Sequence, residues 1–303
     1  MYNFRRILVP TDFSGNAAAA LDHAVVLGAR YRAEITLLHV DEFSVSPLGA
    51  LAIQDPPIEA YQKRKREFLE QRLDDLARSI QDPSVQVKTQ VMQGRAYKAI
   101  IEEGEGREYD LIVIAKRGLT SLSIHLIGST AERVVRLSRQ PVLSVHGRPK
   151  FGGKVESILC PTDLSPAANV ALSYALSIAV HQNASLYIQY ISELEKPERD
   201  EEIQARMPDL VHHHPQAKSV DVHYVFDRDV EPSNSIIRFA ADRQISLIVM
   251  STHGRKGLRR VFIGNNTAEV VRQSVAPVLT VTHPLHKTVF VQPLTEARRG
   301  TRG

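Results

Sequence analysis

The chain has 303 residues, 43% of them hydrophobic, with one cysteine and a formal charge of +4. That length suits two domains, each able to close its own core, while no run approaches the roughly 20 apolar residues of a membrane span. The charge does not single out nucleic acid: the stretch 283–303 holds Lys287, Arg298, Arg299 and Arg302 against Glu296, a net +3 that leaves about +1 for the rest.

The start, Met1-Tyr-Asn-Phe-Arg5-Arg6, leads into a strand without a signal-peptide core, so a cytoplasmic protein with no membrane partner is expected. Arg6–Pro10 reads as a short buried strand opening into a loop. Ser14 then caps a helix whose apolar face, Ala17, Ala18, Leu21, Ala24, Val25 and Ala29, runs to about residue 31. Glu34–Val40 is the second strand. A loop with Pro47, Pro56 and Pro57 leads to a charged helix from about 59 to 80, and Val85–Val91 alternates as a third strand. A helix through Ile100 and Ile101 precedes the strand Leu111–Ile114; the last helix starts near Gly128 and the last strand is Val142–Val145. Parallel strands need crossovers of this length, so a layered α/β sheet follows.

The second half repeats the first. Ile7-Leu-Val-Pro10-Thr-Asp12-Phe-Ser14 returns as Ile158-Leu-Cys-Pro161-Thr-Asp163-Leu-Ser165, with Cys160 in the place of Val9. Asp110–Ile114, Gly118, Gly128 and Pro141–Val145 return as Ser246–Met250, Gly254, Gly264 and Pro277–Val281. Repetition of strand cores and glycines under altered helix surfaces marks a duplicated fold. The expected division is a first domain at 1–147, a linker at 148–154, a second domain at 155–283 and a basic tail at 284–303, the tail being a solvated end. Each domain is expected to carry a five-stranded, mostly parallel sheet flanked by helices.

Pro-Thr-Asp after the first strand, Leu-Leu-His-Val in the second, Asp-Leu-Ile-Val-Ile in the fourth, Gly-Ser-Thr-Ala-Glu at the last helix and Pro-Val-Leu-Ser-Val at the end resemble the universal stress protein family. Met250-Ser-Thr-His-Gly-Arg-Lys-Gly-Leu258 adds another block of that family. The likeness spans about 4–146 and 155–283. It implies an adenine nucleotide alpha hydrolase-like fold in tandem, pairing of the two domains through their final strands, a stress-response role and an adenine nucleotide, ATP or AMP, as ligand. Pairing of full chains as a homodimer and an unidentified protein partner belong to the same implication.

The crevice of an open α/β sheet lies beyond the carboxyl ends of its strands, and a helix start offers free amides to an anion. The family's nucleotide pattern is Gly, two residues, Gly, nine residues, then Gly with Ser or Thr, which implies adenine near the aspartate and phosphates near the glycines. Carried onto the first copy, it gives Pro10, Thr11, Asp12, Val40, Ala115, Arg117, Gly118, Gly128, Ser129 and Thr130. Ala115 replaces the opening glycine. Arg117 stands where the family usually has His, and with Lys116 it is read either as a phosphate contact or as a solvent-facing cation. In the second copy the corresponding set is Pro161, Thr162, Asp163, Ile191, Ser251, His253, Gly254, Gly264, Asn265 and Asn266. There the hydroxyl is lost to asparagine, which can still cap a helix but cannot reproduce a compact hydroxyl contact. The first copy is therefore the expected binder and the second the weaker one.

Plainer readings stand beside these. Asp12 and Asp163 also suit a turn before a helix, and His39 suits a packed polar residue better than a base. Cys160 reads as a small buried hydrophobe. His212-His213-His214 lacks a matching cysteine or carboxylate cluster and reads as a solvated helix end before Pro215, so no metal ligand is expected from side chains. No phosphate-loop, dinucleotide, metalloprotease or nucleophile-elbow motif is present, and no residue is nominated as a catalyst. The expected function is a nucleotide-responsive binding module rather than an enzyme. The alternatives are a slow ATPase using Mg, and a scaffold that binds no nucleotide.

Overall fold

The computed structural model describes residues 2–42, 56–118, 127–149, 151–192, 200–212, 214–252 and 264–282. The first half runs β1 (Arg6–Pro10), α1 (Gly15–Tyr31), β2 (Glu34–Asp41), α2 (Pro56–Arg78), β3 (Gln86–Gln93), α3 (Ala96–Gly106), β4 (Leu111–Ala115), α4 (Ser129–Leu137) and β5 (Val142–Val145). The second runs β6 (Ser157–Thr162), α5 (Pro166–Gln182), β7 (Ser185–Ser192), α6 (Asp200–Arg206), α7 (Asp209–His212), β8 (Val222–Arg228), α8 (Pro232–Asp242), β9 (Leu247–Ser251), α9 (Asn265–Gln273) and β10 (Val278–Val281). Among the described residues no helix is long and apolar enough to cross a membrane. The stretch 283–303 and most of the proline-rich insertion lie outside the described residues.

Parallel pairing within each half gives the orders β3-β2-β1-β4-β5 and β10-β9-β6-β7-β8. These do not remain two sheets. β5 and β10 pair antiparallel, with Val278 opposite Ser144, Leu279 opposite Leu143 and Thr280 opposite Val142, so all ten strands form one mixed sheet. The cause lies in the strands themselves. All four residues of each are buried, and an unpaired edge of this kind leaves its backbone groups without partners. Ser144 Oγ donates to the Val278 carbonyl at 3.2 Å, and Thr280 Oγ1 donates to the Val142 carbonyl at the same distance.

Strand residues alternate between two buried faces. In β4, Leu111, Val113 and Ala115 pack on the α1 and α5 side, whereas Ile112 and Ile114 pack on the α3 and α4 side. Both apolar clusters contain side chains from both halves. A sheet covered on both faces explains why its strands read as unbroken apolar runs. Further contacts cross at the N-terminus, where Tyr2 stacks on Tyr174 at 3.6 Å and its amide donates to Ser177 Oγ at 2.9 Å.

The last helix of each half ends against the other half. Ser138 caps α4 and Ser274 caps α9, and both are buried at 2% and 4% exposure, where their carbonyls cannot turn to bulk water. Each carbonyl takes a donor from across the boundary: Thr282 Oγ1 reaches Ser138 at 3.1 Å and Lys116 Nζ reaches Ser274 at 2.6 Å.

Separating the halves would expose β5 and β10 together with one side of each shared core. Residues 1–154 and 155–283, expressed separately, are expected to self-associate, or to recombine when mixed. Sedimentation would reveal this, and two stable monomers with no mutual affinity would contradict it.

Candidate functional site

The first-copy residues converge at the carboxyl ends of β1, β2 and β4. In the order β3-β2-β1-β4-β5 the connections change direction between β1 and β4, which is where α/β sheets open a ligand crevice. The loop leaving β1 is built from three successive side-chain bonds to backbone. Thr11 Oγ1 accepts from Phe13 N at 3.0 Å, Asp12 Oδ1 from Ser14 N at 3.0 Å, and Ser14 Oγ from Ala17 N at 3.1 Å. Phe13 is held left-handed at φ 62° between them. The second copy repeats each bond through Thr162, Asp163 and Ser165, with Leu164 at φ 63°. The turn-forming role of both aspartates is therefore real, and it occupies one carboxylate oxygen in each.

The other oxygen of Asp12 lies against Gly118. A Cβ added to Gly118 would overlap Asp12 Oδ2, so any larger residue there would have to displace that carboxylate oxygen. Gly128 N donates to the Lys116 carbonyl at 2.7 Å, which closes the start of α4 onto the end of β4. Gly128 is the N-cap and makes no side-chain cap bond; Ser129 is exposed and Thr130 half-buried in the first turn, where backbone amides have no intrahelical acceptor. Thr11 N donates to the Leu38 carbonyl at 2.8 Å, and His39 Nδ1 meets the Thr11 carbonyl at 2.9 Å. A carbonyl only accepts, so Nδ1 carries the proton and the imidazole is fixed as a packed group. Its ring lies 4.7 Å from that of Phe13, whose own ring carries the Arg72 guanidinium at 4.1 Å. Pro10 and Val40 are half-buried strand ends beside these residues, and Ala115 is buried.

Two expectations change on this geometry. Lys116 neither meets a phosphate position nor faces solvent: it is 3% exposed and its side chain crosses to Ser274. Arg117 stays half-buried beside the loop. In the second copy the cap of α9 is Gly264, not an asparagine, because Asn265 and Asn266 already lie inside the helix, exposed and making no cap bond. Thr267 Oγ1 instead donates to the Ser251 carbonyl at 2.9 Å and ties the helix to β9, while Gly264 N bonds the Thr252 carbonyl at 2.8 Å. Thr162 is buried and Asp163 and Ile191 are half-buried like their first-copy counterparts, whereas Pro161 is buried and Pro10 only half-buried. His253 and Gly254 lie outside the described residues.

Other features hold no site residue. A groove of about 300 Å³ between α2 and β3 is lined by Arg66, Glu70, Asp74 and Thr89, whose side chains already pair with one another. Cys160 is fully buried and burial pushes its thiol up to about 12, the wrong direction for a nucleophile. His212 ends α7 exposed, and among the described residues no three His, Cys, Asp or Glu side chains gather as metal ligands.

A doubly covered mixed sheet, with a tight Thr-Asp turn facing a glycine-bounded helix start, defines an α/β protein of two repeated halves. The model of the universal stress protein family matches residues 3–146 and again 154–282, and the chain belongs to that family, in tandem form. A universal stress protein of Mycolicibacterium smegmatis is 24% identical over 290 residues, spanning 91% of this chain and 96% of the relative. The universal stress protein MJ0577 of Methanocaldococcus jannaschii is 29% identical over 154 residues, 47% of this chain and 94% of its own. Among solved structures, a universal stress protein from Archaeoglobus fulgidus superposes with a TM-score of 0.73 at 21% identity, covering 94% of this chain and 99% of that one.

Lys116 gives the structure a testable pH dependence. Burial, then the Arg117 charge, pulls its pKa from 10.5 to about 7. Between those values the unfolded chain keeps a proton that the folded one has lost, so folding stability gains as pH rises from about 7 toward 10.5. Urea unfolding across that range should show wild type gaining on Lys116→Met by up to about 1.4 kcal/mol per pH unit. Parallel curves would show that the amine is solvated.

Proposed function

We propose that this protein is a cytoplasmic adenine-nucleotide-binding stress-response module, acting through ligand-dependent conformation and partner binding rather than through turnover. The observation that carries the reading is the meeting of Asp12 with Gly118 beside the Gly128 helix start. A carboxylate there can accept from an exocyclic amine, and the amides of the first turn of α4 can donate to phosphate oxygens. On this reading the base of ATP or AMP lies near Asp12 and Val40, and its phosphates lie over Gly118, Gly128, Ser129 and Thr130. Mg, where ATP brings it, is held by the phosphates themselves. The protein's contribution is binding and orientation, and no residue near the loop is assigned a chemical step.

The first copy is the stronger site. Its helix start carries hydroxyls at Ser129 and Thr130, whereas the second presents Asn265 and Asn266. Arg117 adds a cation beside the first loop, and burial together with Arg117 and Lys116 lowers the pKa of His146, which marks a positive field there. Such a field favours an anion.

Calorimetric titration with ATP and with AMP tests both parts. Wild type should bind. A Cβ at Gly128 meets only ordinary contacts, so Gly128→Ala should fold normally, and a larger residue such as Gly128→Leu should abolish most binding by covering the amides. The same change at Gly264 should matter less. Ser129→Ala should lose about 1.5–3 kcal/mol, the worth of one hydrogen bond to a charged group. Absence of binding by the intact chain would remove the nucleotide reading, and loss confined to the Gly264 variant would exchange the two copies. Metal-dependent release of phosphate would move the protein to a slow ATPase.

A further inference from the structure

Lys116 joins three elements through three of its own atoms. Its amide donates to the Val145 carbonyl at 2.9 Å, at the end of β5, and its carbonyl accepts from Gly128 N at 2.7 Å, at the start of α4. Its Nζ donates to the Ser274 carbonyl at 2.6 Å, at the end of α9 in the other half. The first two bonds are repeated by Thr252, whose amide reaches Val281 and whose carbonyl takes Gly264 N. The third is direct only in the first copy: Thr252 Oγ1 lies 3.4 Å from Thr282 Oγ1, which in turn donates to the Ser138 carbonyl at 3.1 Å. The two ends of the boundary are thus closed by different chemistry: α4 is reached through a pair of hydroxyls, and α9 directly by the Lys116 amine.

The buried amine is well placed for this role, since it is a donor in either protonation state. The C-terminal end of a helix carries carbonyls without internal partners, so a donor there is favoured. Ser274 is buried and cannot replace the lost donor with bulk solvent. We propose that Lys116 is a positioning residue that fastens the junction of β4 and the start of α4 to the end of α9, so that the setting of that junction and the packing of the second copy's last helix change together. The consequence for ligand binding rests on the nucleotide reading; the fastening does not. If an anion shifts the start of α4, the Lys116 carbonyl bonded to Gly128 N shifts with it and the end of α9 follows, since the path runs through one residue.

Hydrogen exchange on the full chain, with and without ATP, tests this. Without ligand, Lys116→Met, which keeps the stem but removes the donor, should speed exchange about tenfold both in peptides over 111–118 and over 270–277, leaving α5 unchanged. Lys116→Arg, which restores a donor, should return both to near the wild-type rate. Lys116→Gln, with a shorter reach, should behave as Lys116→Met and serves in its place should that variant not fold. With ATP, wild type should gain protection in both regions and Lys116→Met only in the first. A change confined to 111–118, or spread evenly over the chain, would overturn the proposal. Failure of ATP to bind would remove the nucleotide reading, and the ligand-free comparison would still decide the fastening.

Discussion

Antiparallel pairing of β5 with β10 is the contact on which the remaining architecture hangs. Each of the two strands has only four residues, all buried, and neither could stand as an open edge without leaving backbone groups unpaired. Leu143 faces Leu279 across the join, and the hydroxyls of Ser144 and Thr280 each donate to the other strand's valine carbonyl. Once the strands meet, the sheet continues through both halves, and helices that would have capped separate cores share two common ones. The pairing also fixes where the last helices end, which is why Ser138 and Ser274 are buried and take their donors from across the boundary.

The same join puts the strands that precede the two candidate sites into one continuous sheet. In each copy a glycine amide at the start of the last helix bonds the carbonyl of the first residue after the fourth strand, Lys116 or Thr252. What differs is the side-chain chemistry laid on this backbone. The first copy offers hydroxyls, a nearby guanidinium and a lysine committed to the other half. The second offers exposed asparagines and a threonine, Thr267, that is spent on the Ser251 carbonyl. Duplication preserved the frame while the two sites diverged, and the asymmetry is one of polar groups and charge rather than of fold.

Asp12 combines a structural role with the binding role proposed for it. Its Oδ1 is fully engaged in holding the turn that leads into α1, and the turn is what aims Oδ2 at Gly118. Phe13 pays the conformational cost of that turn with a left-handed backbone, offset by packing between His39 and Arg72. Asp163 holds the equivalent turn in the second copy, with Leu164 in the same left-handed conformation.

Strand cores, helix caps at Ser14 and Ser165, the duplication and the family were all legible in the sequence, because apolar runs, capping residues and glycine spacing are local or repeat at fixed offsets. Pairing through β5 and β10 was legible only by resemblance; nothing in Val142–Val145 alone names its partner. The merger of two sheets into one, the burial of Lys116 and the exclusion of Asn265 from the cap position were decided by tertiary structure. Lys116 adjoins Arg117, and both read either as phosphate contacts or as solvent-facing cations; only the position of α9, whose Ser274 lies 158 residues further along the chain, turns one of them into the interior. Local patterns specify what a segment can form, whereas the fate of a long polar side chain depends on which distant carbonyl the fold brings within its reach.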